Sequence, residues 1–379
     1  MPSEPAGSGG TSQPFVPPIY PYDRLNDAKA AADALPGGIV DLSIGTPCDP
    51  PARLVLDALA TSNTERGYPQ SVGSPALRDS AAAWMSRRFG VSVPAAQIAA
   101  CVGTKEFVGT LPRWLALRSP DRDTVLYPEL AYPTYEMGAT LAGCRAVPVP
   151  VAADFTLRLD AIDEADAARA LCLWVNTPGN PAGQLDDLGV AADWGRAHDV
   201  PVFSDECYIE FTWDGPKRSI LQHGADGVVS VHSLSKRSNL AGLRVGLYAG
   251  DADLVHYLSE VRKHVGMMVP GPAQAAGAAA LSDDAHVDEQ ADRYRHRLQR
   301  AAQIFKAVDL DATMPQGGFY LWAEAPDGDA WAFVDRLARA GGCLVTPGDT
   351  FGAAGTRYVR AALVQPDDRL ELVAQRLGV

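Results

Sequence analysis

The chain has 379 residues, 47% of them hydrophobic, and a formal net charge of −13. That is material for two closely packed domains rather than one simple core. An acidic chain whose basic residues are scattered excludes nucleic acid and anionic membrane surfaces as expected partners.

In chain order, residues 1–18 are rich in Pro, Gly and Ser and are expected to lack fixed structure. Residues 19–50 are expected to join the C-terminal stretch, 276–379, in a small α+β domain, with 51–275 forming a large domain. ALRDSAAAWMSRRFG (76–90) reads as a helix ended by Gly90, and TKEFVGTLPRWLALR (104–118) as a helix interrupted by Pro112. Residues 123–128, 144–151, 168–176, 200–206, 227–233 and 244–250 read as strands. Several are apolar at successive positions, the pattern of strands buried on both faces, so a mainly parallel sheet covered by helices is expected. A helix over 288–308, the segment GGFYLWAEA (317–325), a helix near 329–340 and strands over 343–348 and 357–364 complete the chain.

The six cysteines, Cys48, Cys101, Cys144, Cys172, Cys207 and Cys343, form no CxxC pair. Neither zinc nor a redox pair is expected, and reduced thiols in the cytoplasm are the simplest reading. The seven histidines show no ligand spacing and are expected at the surface or in local hydrogen bonds. The N-terminal residues do not read as a signal peptide, and no apolar run reaches the roughly 18 residues of a membrane span.

Open α/β sheets bind ligands at the carboxyl ends of their strands. Three such ends carry polar groups: Asn180 in NTPGNPAG, Asp205 and Tyr208 in SDECY, and Lys236 in SVHSLSKRSNLAGLRVG. An amine, a carboxylate, a phenol and an amide on one rim suit pyridoxal phosphate (PLP). Lys236 would form the Schiff base, and Asp205 would keep the pyridine nitrogen protonated. Tyr208 and Asn180 would hydrogen-bond the ring's 3-oxygen. Ser233, Ser235 and Arg244 would hold the phosphate, joined by Gly103, Thr104 and Lys105 at the start of the helix in VGTKEF. Tyr132 would stack on the ring. The plainer roles are a helix cap for Asp205, a turn at Asn180, and packing for Tyr132 and Tyr135.

On these residues the chain resembles the class I/II aminotransferases, the fold-type I PLP enzymes, from about residue 20 onward. SLSK with Arg244, NPAG (180–183) and DECY match the family's cofactor motifs, with Ala182 where a Thr is usual. The resemblance implies an α/β fold with a large PLP-binding domain and a small α+β domain. It implies that Tyr68 in GYPQSVGSPALR reaches the neighbouring subunit's phosphate, hence a homodimer with shared sites. It implies that Arg360 in YVRAAL clamps the substrate α-carboxylate, with Gly45 in LSIGTP beneath it. A plainer partner for Arg360 is Asp367.

Within the family, GTKE, PELAYPTYEMGATLAG and VRKHVGMMVPGPAQAA are similar to the actinobacterial N-succinyldiaminopimelate aminotransferase type. That implies glutamate as donor, 2-oxoglutarate as its keto acid, and N-succinyl-2-amino-6-oxopimelate as acceptor in lysine synthesis, with two carboxylates beyond the reacting centre. Lys105, Arg237, Arg262 and Lys263 are candidates to meet the distal carboxylates. Met267 and Met268 stand equally for the substrate entrance and for interface packing. Aspartate or aromatic aminotransferases and PLP β-lyases share these motifs, while a regulator's sensing domain would need an N-terminal DNA-binding module.

Overall fold

The computed structural model describes residues 14–379. Its strands in chain order are β1 (Val40–Asp41), β2 (Ile98–Cys101), β3 (Thr124–Pro128), β4 (Arg145–Val149), β5 (Ala170–Asn176), β6 (Val202–Asp205), β7 (Val228–Ser233), β8 (Gly246–Gly250), β9 (Tyr320–Glu324), β10 (Cys343–Leu344), β11 (Thr346–Pro347) and β12 (Tyr358–Ala362). Seven form one sheet in the order β2-β8-β7-β6-β5-β3-β4. Only β8 opposes its neighbours, running antiparallel to β2 and β7.

Every residue of β5, β6 and β7 is buried. Successive side chains point to opposite faces, and both faces are covered. Leu173, Val175 and Val202 pack with Leu77, Trp84 and Ala276 from the helices Pro75–Phe89 and Gly271–Ser282. Trp174, Phe203 and Val231 pack with Phe107, Leu111 and Leu258 from the helices Thr104–Arg118 and Ala252–His264. Two-sided cover explains the unbroken apolar runs.

The remaining strands form two small sheets. β1 pairs in parallel with β10, which brings an early segment onto the C-terminal one. β12 lies between β11 and β9. The run expected as one strand over 343–348 is therefore two: Cys343–Leu344 pairs with β1, and Thr346–Pro347 crosses to β12.

Pro112 does not interrupt its helix, which is continuous from Thr104 to Arg118. Proline lacks the N–H that would bond the Val108 carbonyl. Gly138 of the helix Thr134–Leu141 packs against that carbonyl so closely that a Cβ there would lie 2.8 Å from it. The helix Gly271–Ser282 runs unbroken across position 275. The expectation for residues 1–18 falls mostly outside the described residues; residues 14–18 are exposed and without regular structure. Among the described residues no helix is long and apolar enough to cross a membrane, and no group of side chains could hold a metal ion.

Candidate active site

β5, β6 and β7 end side by side, and their carboxyl ends open onto one cavity. Asp205 is the last residue of β6, Ser233 the last of β7, and Lys236 sits in the single helical turn that follows. Asn176 ends β5, and its carboxamide oxygen accepts from the Asn180 N–H at 2.8 Å, folding the turn that presents Asn180.

The Lys236 ammonium donates to the Gly45 carbonyl. Among the described residues it has no carboxylate partner within ion-pair distance. Burial disfavours its charged form and brings its pKa down to about 8. Asp205 is buried too, and burial raises its pKa against two hydrogen bonds that favour the carboxylate. Tyr135 donates one of these through its hydroxyl, at 2.8 Å, and the Cys207 N–H donates the other at 3.2 Å.

Arg244 has a left-handed backbone, φ +56°, which turns its guanidinium against Gly103. A Cβ at Gly103, itself at φ +75°, would overlap that guanidinium. Glycine is therefore required where the helix carrying Thr104 and Lys105 begins. Ser233 Oγ accepts from the Ser235 N–H at 3.2 Å, and both serines are buried at the cavity wall. A guanidinium, two hydroxyls and a helix N-terminus together suit a phosphate.

Arg360 projects from the middle of β12 and is 1% exposed. Its guanidinium donates to Asn180 Oδ1 at 2.7 Å and to the Ser43 carbonyl at 2.6 Å. The rings of Tyr320 and Phe351 lie 4.4 and 4.5 Å from its central carbon. Its Nε–H has no partner among the described residues. Asp367, the plainer partner, accepts instead from Arg297 at 2.7 Å. A buried guanidinium with only neutral acceptors and an N–H without a partner among the described residues suits a carboxylate.

The structure divides the other expected residues. Tyr132 and Gly45 line the cavity, and Tyr208 does so with its hydroxyl 2.7 Å from that of Tyr320. Tyr68 is 98% exposed and is not part of the cavity wall. Of the four cations offered for distal carboxylates, Arg262 is held by Glu106 at 2.6 and 2.7 Å. Arg237 is buried with Glu210 and Asp284, and Lys263 lies on the surface beside Glu260. None of the three lines the cavity, and carboxylates of the chain already occupy Arg237 and Arg262. Lys105 stands at the cavity wall, its ammonium 3.2 Å from the Tyr20 hydroxyl. Met267 packs on the core, and neither methionine lines the cavity. His232 is buried rather than on the surface, with Nε2 3.1 Å from Ser230 Oγ.

Among the cavity residues that the sequence does not single out for the site are Tyr135 and Tyr320. Tyr135 reads as packing in the sequence, and only its bond to Asp205 distinguishes it. Tyr320 lies in an apolar strand, where a phenol carries no separate signal.

The donor set fits PLP: a buried amine with no carboxylate partner among the described residues, a buried carboxylate on the same rim, and a set of phosphate donors whose glycine leaves room for the arginine. The aminotransferase class I and II family model matches residues 38–377. A probable aminotransferase of Mycobacterium tuberculosis is 41% identical over 97% of this chain and 87% of its own length. The 4-dedimethylamino-4-oxo-anhydrotetracycline transaminase OxyQ of Streptomyces rimosus is 40% identical over 95% of this chain and 99% of its own. The LL-diaminopimelate aminotransferase of Aquifex aeolicus is 34% identical over 96% of both. A solved structure from Thermus thermophilus, titled a probable N-succinyldiaminopimelate aminotransferase, superposes with a TM-score of 0.83 at 31% identity, covering 94% of this chain and 98% of the other.

Proposed function

The chain belongs to the class I and II aminotransferases, PLP-dependent enzymes of fold type I, and on that premise we propose that it moves an amino group between glutamate and N-succinyl-2-amino-6-oxopimelate. The observation that carries the substrate reading is a pair of cations without carboxylate partners among the described residues. Arg360 lies deep beside Asn180, and Lys105 stands at the wall toward Tyr20 and Tyr132. An α-carboxylate at the first and a distal carboxylate at the second suit an acceptor with acids at both ends. The names of the Aquifex and Thermus relatives support a diaminopimelate-type substrate.

When bound, PLP supplies an electron sink for the carbon that bears the migrating amino group. The chain's residues do the rest. Arg360 and Asn180 grip the α-carboxylate and so orient the Cα–H bond. Lys236, depressed toward neutrality and held near Gly45, takes the Cα proton and returns one on the far side of the transfer. Asp205, kept in place by Tyr135, would hold a proton on the pyridine nitrogen. Tyr208 and Asn180 would meet the 3-oxygen, Tyr132 would cover the ring, and Gly103, Thr104, Ser233, Ser235 and Arg244 would hold the phosphate. Glutamate and acceptor use the same site in turn.

The same reading has Tyr68, exposed on this chain, completing the site of a second copy in a homodimer, and places the enzyme in the cytoplasm and in lysine synthesis. The large domain at 51–275 and the small one at 19–50 with 276–379 belong to it as well.

A half-reaction tests the substrate. The PLP-loaded protein is mixed with N-succinyl-L,L-diaminopimelate, glutamate, aspartate, phenylalanine or cystathionine, and bleaching of the cofactor's visible band is followed. Fast bleaching by the first two alone is expected. Bleaching by aspartate or phenylalanine alone replaces the substrate, and pyruvate from cystathionine makes the enzyme a lyase. The 40% identity to OxyQ favours a second reading, with a large cyclic ketone as acceptor, which replaces the first if the amino-loaded enzyme gives its amino group to such a ketone and not to the succinylated one.

A further inference from the structure

Tyr208 and Tyr320 bring two phenol oxygens to 2.7 Å, and both residues are buried at the cavity wall. Each hydroxyl has one proton, so the bond between them runs in one direction at a time. Tyr320 touches the site at two further points. Its ring lies 4.4 Å from the Arg360 guanidinium carbon, and its hydroxyl fills the space beside Gly45 where a Cβ would fall. Among the described residues, Tyr208 is the one hydrogen-bond partner of that hydroxyl.

We propose that Tyr320 is a positioning residue that acts through Tyr208: when Tyr208 turns its proton to the cofactor's 3-oxygen, the shared bond reverses and Tyr320 becomes the donor. The inference rests on the reading in which Tyr208 faces bound PLP. A phenol that accepts a hydrogen bond is itself a stronger donor, so Tyr320 tightens the hold of Tyr208 on the 3-oxygen. The ring has a separate task, because it seats Arg360 whether or not the hydroxyl is present. The hydroxyl thus serves the cofactor and the ring serves the substrate carboxylate.

The two tasks separate experimentally. The visible absorbance of the bound cofactor is titrated with pH in the wild type, Y208F, Y320F and the double variant, and the PLP dissociation constant is measured for each. A hydrogen bond to the anionic 3-oxygen favours the deprotonated cofactor, so losing it raises the titration midpoint. Y208F is expected to raise it most. Y320F raises it by less, roughly a two- to fivefold gain in proton affinity, and weakens PLP binding in proportion. The double variant moves no further than Y208F. KM for glutamate in Y320F stays within about twofold of wild type, while Y320L, which removes the aromatic seat, raises it by roughly tenfold. If Y208F moves the midpoint and Y320F does not, the relay is wrong and the site reading survives. If Y208F moves nothing, both fail. A double variant that shifts by the full sum of the singles would mean that Tyr320 acts on the cofactor directly, which also overturns the relay.

Discussion

Arg237 and Arg360 are both buried, and their surroundings are opposite. Around Arg237 the charge is compensated. Glu210 accepts from Trp84 at 2.7 Å, Lys217 at 2.9 Å, Arg88 at 3.0 Å and Arg237 at 3.3 Å. Around Arg360 no carboxylate among the described residues approaches, and one N–H is left without a partner. A lone buried charge is costly, so a fold keeps one only where a ligand completes it. The first region is architecture, and the second has the chemistry to take an anion. Lys236 belongs with the second, although it is the chain neighbour of Arg237.

The comparison breaks most visibly at Lys236. K236A is expected to lower turnover by about 10⁴-fold or more and to abolish the cofactor's characteristic absorbance. In the wild type, capture of PLP by the cofactor-free protein should quicken as pH rises through about 8 and level off above it, because the neutral amine is the nucleophile and burial sets its pKa there. Stopped-flow absorbance reads both. A K236A variant with full turnover would remove Lys236 from the uncompensated region.

R360A should lower kcat/KM for glutamate by roughly 100-fold or more, since the substrate carboxylate loses its charge-assisted partner. Its thermal stability should hold or rise, because an uncompensated buried charge is gone. Steady-state kinetics and a melting curve test the two halves together. A large loss of stability would make Arg360 architecture after all.

E210Q should do the reverse. Removing the anion shared by Arg237, Lys217 and Arg88 should cost about 3 kcal/mol of stability, with KM for glutamate unchanged in the folded enzyme. Burial alone would raise the Glu210 pKa, but Arg237, Lys217 and Arg88 outweigh it and hold it at about 2, below the ordinary 4.5. Its contribution is therefore complete above pH 4.5 and lost as pH falls from 4.5 toward 2. Urea melts across that range should show wild type losing its advantage over E210Q.

K105A should have the smallest effect, about a tenfold rise in KM for the succinylated substrate and less for glutamate, since the ammonium is partly in water. Equal effects on both substrates would assign Lys105 to the phosphate rather than to the distal carboxylate.

The placement that depends on chain neighbours is legible in the sequence. Lys236 follows closely on the strand end at Ser233, Asp205 ends its strand just before Tyr208, and Gly103 stands at the mouth of its helix. Each is set by a strand ending in a turn, and a strand buried on both faces announces itself as an apolar run. The location of the rim followed, because parallel strands present their carboxyl ends together. What only the tertiary structure decided is which partner each charged or hydroxyl-bearing side chain meets. Tyr135 reaches Asp205 across 70 positions and Tyr320 reaches Tyr208 across 112. Arg237 and Arg262 look as available as Lys105 in the sequence, and lose that availability to Glu210 and Glu106 in space. Hydrogen bonds and ion pairs act over about 3 Å, so their pairing is a property of packed elements, whereas strand burial and turn chemistry are written in consecutive residues.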